Sequence, residues 1–263
     1  MKTFSSEEAA LVSVLDGYDD IAIAVSGGVD SMVLAYIAHR FSRTAATMLH
    51  AISPAVPQAA TARVRRYAES EGWQITWLDA GEFEDPNYRA NPVNRCYYCK
   101  SNLYDRIRDA TSSQIASGTN MDDLGDFRPG LKAASERAVV HPYVEAGLGK
   151  ANIYRLAELH GLTDLAELPA QPCLASRVET GIAIDPKDLA FIELMEGRAA
   201  SLAPISADIR CRTTAAGIII EVGAAFPQSQ RGALADDAAR LCAAHGRAFA
   251  GVRDYRRGSA FLR

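Results

Sequence analysis

Short uninterrupted apolar runs alternate with stretches whose apolar residues recur every three or four positions through the first two thirds of the chain. Ile21-Ala22-Ile23-Ala24-Val25 has the continuous apolar character of a strand buried on both faces, and 45–52, 74–78 and 114–117 are further strand-like runs. Ser5-Ser6-Glu7-Glu8 opens a helix carried by Ala9, Leu11, Val12 and Leu15, and helical spacing returns over 32–38, 61–72 and 150–160. This alternation predicts an α/β fold: a doubly wound, Rossmann-like parallel sheet with helices on both faces and right-handed crossovers.

Residues 81–95 are polar and rich in Asn and Pro, which predicts a long loop, and it delivers Cys96-Tyr97-Tyr98-Cys99-Lys100. The pattern changes character at Pro169-Ala170-Gln171-Pro172. Beyond it come a helix over 186–200, β-like runs over 208–213 and 217–222, another helix and a last strand-like run, predicting a smaller α+β domain. We therefore divide the chain into domains 1–169 and 170–263. The first carries 16 Lys+Arg against 22 Asp+Glu and the second 12 against 10, so an anion is better received by the second.

The 263 residues are 48% hydrophobic and 23% charged, an ordinary globular composition with enough chain for a large core. No apolar run approaches a bilayer span and the first eight residues hold no apolar signal core, so a cytoplasmic protein without a membrane partner is expected. Five cysteines favour reduced thiols over a disulfide framework. A net charge of −4 lacks the basic field of a nucleic-acid binder, and a small-molecule substrate is expected instead.

Ser26-Gly27-Gly28-Val29-Asp30-Ser31 stands between a buried strand and a helix, where backbone N–H groups and the positive helix end converge on phosphate oxygens. It is neither a Walker A loop nor Gly-x-Gly-x-x-Gly, and a plain strand-to-helix turn is the alternative. Cys96 and Cys99 alone leave metal ligation and a redox disulfide both open. Cys173 alone reads equally as a small buried hydrophobe. Arg210 and Arg212 share one side of a predicted strand with Cys211 opposite, and by themselves are two solvated arginines.

The Ser-Gly-Gly-x-Asp-Ser pattern after the first strand resembles the PP-loop of ATP pyrophosphatases. With Asn94 to Lys100, Gly118-Thr119-Asn120-Met121-Asp122-Asp123, Gly125-Asp126-Phe127-Arg128-Pro129-Gly130, Glu145 to Lys150, and Pro172-Cys173-Leu174-Ala175-Ser176-Arg177, the chain resembles the LarE family of sulfur transferases. Those enzymes build the thiocarboxylates of the nickel-pincer nucleotide cofactor of lactate racemase. The resemblance spans nearly the whole chain and is strongest from Ser26 to Arg177. Gly149, where threonine is common, and Gln171-Pro172 before the cysteine depart from the pattern.

The resemblance implies that the first domain binds MgATP and adenylates a carboxylate of pyridinium-3,5-biscarboxylic acid mononucleotide, and that sulfur then displaces AMP. Ser26, Gly27, Gly28, Ser31, Gly118 and Asn120 would form the nucleotide site, with Asp30 holding Mg²⁺. Lys100, Ser176, Arg210 and Arg212 would bind substrate or AMP anions; Glu221 is a weaker carry-over to the same site, and Glu196 is weaker still. Arg177 would neutralise a phosphate or carboxylate beside Cys173, the sulfur-supplying position. Cys96, Cys99 and Cys173 resemble the three-cysteine branch, whose thiolates hold a [4Fe–4S] cluster with one open iron. Zinc, sacrificial loss of the Cys173 sulfur, a PP-loop tRNA or small-molecule thiolase, and a non-catalytic nucleotide sensor are the rival readings. Other nickel-pincer biosynthesis proteins and a homo-hexamer are the partners the family implies. Cys211, Cys242 and the five histidines receive no chemical role.

Overall fold

The computed structural model describes residues 5–125, 128–169, 171–202 and 208–255. Asp126, Phe127 and Ala170 of the motifs above lie outside them. The chain divides into two compact units: 1–85 with 94–171, and 86–93 with 172–263.

In the first unit the elements run α1 Ser6–Leu15, β1 Asp20–Ala24, α2 Val29–Phe41, β2 Ala45–Ile52, α3 Gln58–Glu71 and β3 Ile75–Asp79. After the excursion into the second unit through α4 Pro86–Arg89 come α5 Arg95–Ala110, β4 Gln114–Ala116, α6 Pro129–Glu136, α7 Pro142–Glu145, α8 Lys150–Leu159 and α9 Thr163–Ala166. The predicted parallel sheet is present, in the order β3-β2-β1-β4. Ser5 caps α1 by accepting the Glu8 N–H at 3.1 Å, as the Ser-Ser-Glu-Glu start predicts. Helix α3 begins three residues before the predicted helix, after Pro57, and stops at Gly72 in the left-handed region (φ 69°). The core gathers on α2, whose Met32, Val33, Leu34, Ala35 and Ile37 are fully buried with Ile21, Ile23, Met48, Ile153 and Leu156.

Strands β2 and β4 lie on opposite sides of β1. The sheet order therefore reverses between β1 and β4, and the loops leaving their carboxyl ends, 25–28 and 117–120, flank the crevice where open α/β sheets take ligands.

The second unit contains α10 Pro186–Ala200, β5 Ile209–Thr214, β6 Gly217–Val222, α11 Arg231–Ala244 and β7 Phe249–Asp254. Its sheet runs β5-β6-β7, antiparallel then parallel. Asp185 caps α10 on the Lys187 N–H at 2.7 Å, and Pro186 takes the first helical position. The 86–93 piece is stitched into this unit by Asn91, fully buried at φ 51°, whose Nδ2 donates at 2.9 Å to the carbonyls of Glu179 and Ile182. Among the described residues no helix is long and apolar enough to cross a membrane.

Candidate functional site

Loop 26–31 is folded by its own serines. The Ser26 N–H donates to Ser31 Oγ at 3.0 Å, Ser31 Oγ donates to the Gly28 carbonyl at 3.1 Å, and the Gly28 N–H reaches Ser26 Oγ at 3.3 Å. Gly27 sits at φ 81°, and a Cβ there would come 2.6 Å from the Ala60 carbonyl oxygen, so only glycine fits. Gly28 caps α2 without a side-chain acceptor, which leaves the first N–H groups of a 13-residue helix to an anion. From β4, Gly118 packs against this turn; a Cβ on it would stand 2.7 Å from the Ser31 nitrogen.

Asp30 lies in the first turn of α2 with its carboxylate gripped by Lys150, whose Nζ is 2.7 and 2.6 Å from the two oxygens. Buried Asn120 donates Nδ2 to Asp30 Oδ1 at 3.4 Å, accepts the Asp122 N–H at 3.0 Å and gives its own N–H to Asp123 Oδ2. Burial raises the Asp30 carboxyl above its usual value, Lys150 opposes this, and Asp123 adds to it. Asp122 accepts the Lys150 N–H, and a Cβ at Gly149 would strike the Asp122 carboxylate at 2.7 Å. The departure to glycine at 149 makes room for that contact.

Lys150 received no role from the sequence. The available signal was its place at the first position of α8, where a cation opposes the helix dipole unless an anion compensates. Asp30 and Asp122 are those anions.

Cys96 and Cys99 are half-buried on the first turns of α5, three residues apart and so on one face. Tyr97 donates to Glu136 of α6 at 2.7 Å and its ring meets Tyr98 edge-on. Lys100 stands over the Tyr104 ring, 5.6 Å from its centre.

In the second unit Cys173 is exposed and opens a 3₁₀ turn, Leu174–Arg177. Arg177 is 4% exposed and committed to that turn: Nη1 donates to the carbonyls of Pro172 (2.6 Å) and Cys173 (3.2 Å) and to Ser176 Oγ (3.0 Å). Its Nε and Nη2 take both oxygens of Glu196 on α10, at 3.0 and 3.1 Å. Arg212 holds the Ser176 carbonyl and buried Glu221, each at 2.8 Å, and Arg253 takes the other oxygen of Glu221. Arg210 stacks over Tyr255 and lies 3.6 Å from Asp208. Burial lowers its pKa, and neighbouring Arg177 pushes the same way, so this strand carries a desolvated cation. Cys211 is fully buried and burial pushes its thiol up, which fits a packing residue.

The fold gathers Ser26, Gly27, Gly28, Asp30, Ser31, Gly118 and Asn120 at the β1–β4 crevice, and Cys173, Ser176, Arg177, Arg212 and Glu221 at the second unit's turn. No group of three or more His, Cys, Asp or Glu residues that could hold a metal stands together among the described residues.

The first unit is thus an α/β protein with a glycine-serine loop at its topological switch point, and the second unit carries an exposed cysteine on an arginine-anchored turn. No family model matches the chain. Over 167 residues it is 36% identical to an uncharacterized protein of Synechocystis, a stretch covering 62% of each chain. It is 27% identical over 201 residues to pyridinium-3,5-bisthiocarboxylic acid mononucleotide synthase of Lactiplantibacillus plantarum, covering 74% of this chain and 72% of that one. An uncharacterized protein of Methanocaldococcus jannaschii is 27% identical over 182 residues.

Proposed function

We propose that this chain is an ATP-dependent sulfur transferase that converts a carboxylate of pyridinium-3,5-biscarboxylic acid mononucleotide to a thiocarboxylate. The observation that carries the reading is the Ser26–Ser31 loop closing on the Asp30–Lys150–Asn120 cluster at the switch point. The name of the Lactiplantibacillus relative supplies the substrate class.

Loop N–H groups with Ser26 and Ser31 would hold nucleotide phosphates, and Lys150 would exchange its Asp30 partner for phosphate oxygen. Mg²⁺ fits the crevice in kind, since Asp30 offers a carboxylate there once Lys150 turns to phosphate; it would screen phosphate charge. The substrate carboxylate attacks the α-phosphorus, the bond to the β-phosphate's bridging oxygen breaks, and pyrophosphate leaves with the electron pair. Sulfur then attacks the acyl carbon, the acyl–oxygen bond breaks, and AMP departs.

Cys96 and Cys99, on one helix face, offer the thiolate donor chemistry of a [4Fe–4S] group, which would supply renewable sulfur when bound. The exposed Cys173 on its arginine-held turn equally favours a second reading, in which Cys173 gives up its own sulfur and becomes dehydroalanine.

Incubation of the full chain with MgATP and the pyridinium dicarboxylate, read by pyrophosphate release, tests the proposal. Substrate-dependent release is expected. Absence of release with an authentic pyridinium dicarboxylate, or specific salt-resistant tRNA binding, overturns the reading.

A further inference from the structure

Helix α3 backs the glycine loop through Ala60 and Arg63, and the neighbouring β2 through Thr61. The Ala60 carbonyl occupies the space a side chain at Gly27 would need. Thr61 Oγ1 lies 2.9 Å from Nε2 of His50, whose Nδ1 lies 2.8 Å from the Val25 carbonyl. Arg63 donates Nη1 to the Gly27 carbonyl at 2.6 Å. His50 is fully buried, and burial holds its imidazole below the ordinary value, so it is neutral. Facing a carbonyl, Nδ1 must carry the proton, and Nε2 accepts from the Thr61 hydroxyl.

Arg63 is the unusual member of this brace. It is 9% exposed, and burial disfavours a charge that a guanidinium cannot shed at neutral pH. Asp164 of α9 favours the charged form, while neighbouring Arg66 opposes it. That Asp164 also accepts hydrogen bonds from Arg66 and Tyr67. A carbonyl needing only a partner is served by any neutral N–H at lower desolvation cost.

We infer that Arg63 is a positioning residue for the nucleotide, setting the phosphate-facing geometry of the loop from behind and placing a fixed positive charge beneath it. The peptide joining Gly27 to Gly28 is planar and trans, so holding its carbonyl aims the Gly28 N–H the opposite way, where it meets the Ser26 hydroxyl of the same loop. The buried charge then acts on bound phosphate through a medium of low dielectric. This inference deepens the nucleotide reading above and rests on it.

The test is calorimetric binding of MgATP, and separately of inorganic pyrophosphate, to the full-length wild type, Arg63→Met and Arg63→Lys, with circular dichroism as the folding control. Arg63→Met removes a charged hydrogen bond and should weaken both ligands roughly tenfold to a hundredfold. Arg63→Lys should bind near wild type at pH 7 and weaken as pH rises toward 10, because a buried ammonium loses its proton early. The groups around that ammonium are the charged Asp164 and Arg66 and the Tyr67 hydroxyl, which burial and Asp164 keep protonated, with neutral His50 on β2. The wild type should show no such trend over the same range.

Equal affinity in Arg63→Met and wild type overturns the inference and leaves the nucleotide reading standing. A wild type that binds neither ligand overturns both. If Arg63→Met does not fold, the lysine variant decides: a pH response matching the wild type overturns the inference, and a loss confined to the variant supports it.

Discussion

The glycine loop of the first unit and the Cys173 turn of the second are both short, and they differ in how far local conformation and distant charge share in holding them. The loop's shape is set locally, by Gly27 at φ 81° and by Ser26 bonded to Ser31, and Arg63 braces it from 36 positions away. The turn is fixed by charge brought from far along the chain: Arg177 to Glu196 across 19 positions and Arg212 to the Ser176 carbonyl across 36. An anion site needs open N–H groups, and side chains crowding it would compete with the ligand. A cysteine that must stay exposed has little packing to hold it, so its backbone is anchored through its carbonyls instead.

Removing the thiol separates the two regions most sharply. Cys173→Ser should abolish thiocarboxylate formation while pyrophosphate release persists, as measured by product chromatography beside a pyrophosphate assay. Loss of both activities would mean that the regions do not divide the chemistry. Iron and sulfide analysis of anaerobically purified wild type, with intact mass after turnover, tells the sulfur sources apart. Four irons and unchanged mass support the cluster; an iron-free chain lighter by one H₂S makes Cys173 the donor.

Glu196→Ala attacks the second unit, where that carboxylate holds Arg177 and also accepts the Cys211 N–H at 3.0 Å. It strands the Arg177 guanidinium without its carboxylate, and breaking such buried pairs costs roughly 3–5 kcal/mol. The melting transition should fall, the rate of Cys173 alkylation should change, and pyrophosphate release should survive at temperatures where the variant remains folded. Unchanged stability would show that the anchor is incidental.

Gly27→Ala attacks the loop alone. A Cβ at positive φ, 2.6 Å from the Ala60 carbonyl, costs about 1–3 kcal/mol of strain or forces the turn open. Pyrophosphate release should collapse, while Cys173 alkylates at the wild-type rate. A fully active alanine variant would remove the argument that the conformation is required.

The same division governs what the sequence reveals. The parallel sheet, the loop and the ends of β2, α10 and β6 follow from local pattern, because buried strands and Gly-Gly turns are written in adjacent residues. The second unit's share of 86–93 does not, since it depends on Asn91 meeting carbonyls some 90 positions away. Lys150 reaches Asp30 across 120 positions and Arg63 reaches Gly27 across 36. For Arg177 the sequence suggests an anion-binding side chain, and the structure adds the carbonyls and Glu196 that occupy it.

The smallest expected effect concerns the ground beneath the loop. Burial holds His50 below its ordinary value, so the unfolded chain takes up a proton near pH 6.5 that the folded chain refuses. Stability from this residue is therefore complete above that pH and declines as the pH falls, because the unfolded state then binds more protons. His141, hydrogen-bonded to Ser117 at 2.9 Å and likewise lowered by burial, acts in the same direction. Thermal melts at pH 7.5 and 5.5 should show a loss in the wild type that is reduced, though not removed, in His50→Gln, because His141 remains. An equal loss in both proteins would mean that His50 protonates in place, with Nδ1 still donating to the Val25 carbonyl and Nε2 then donating to the Thr61 hydroxyl.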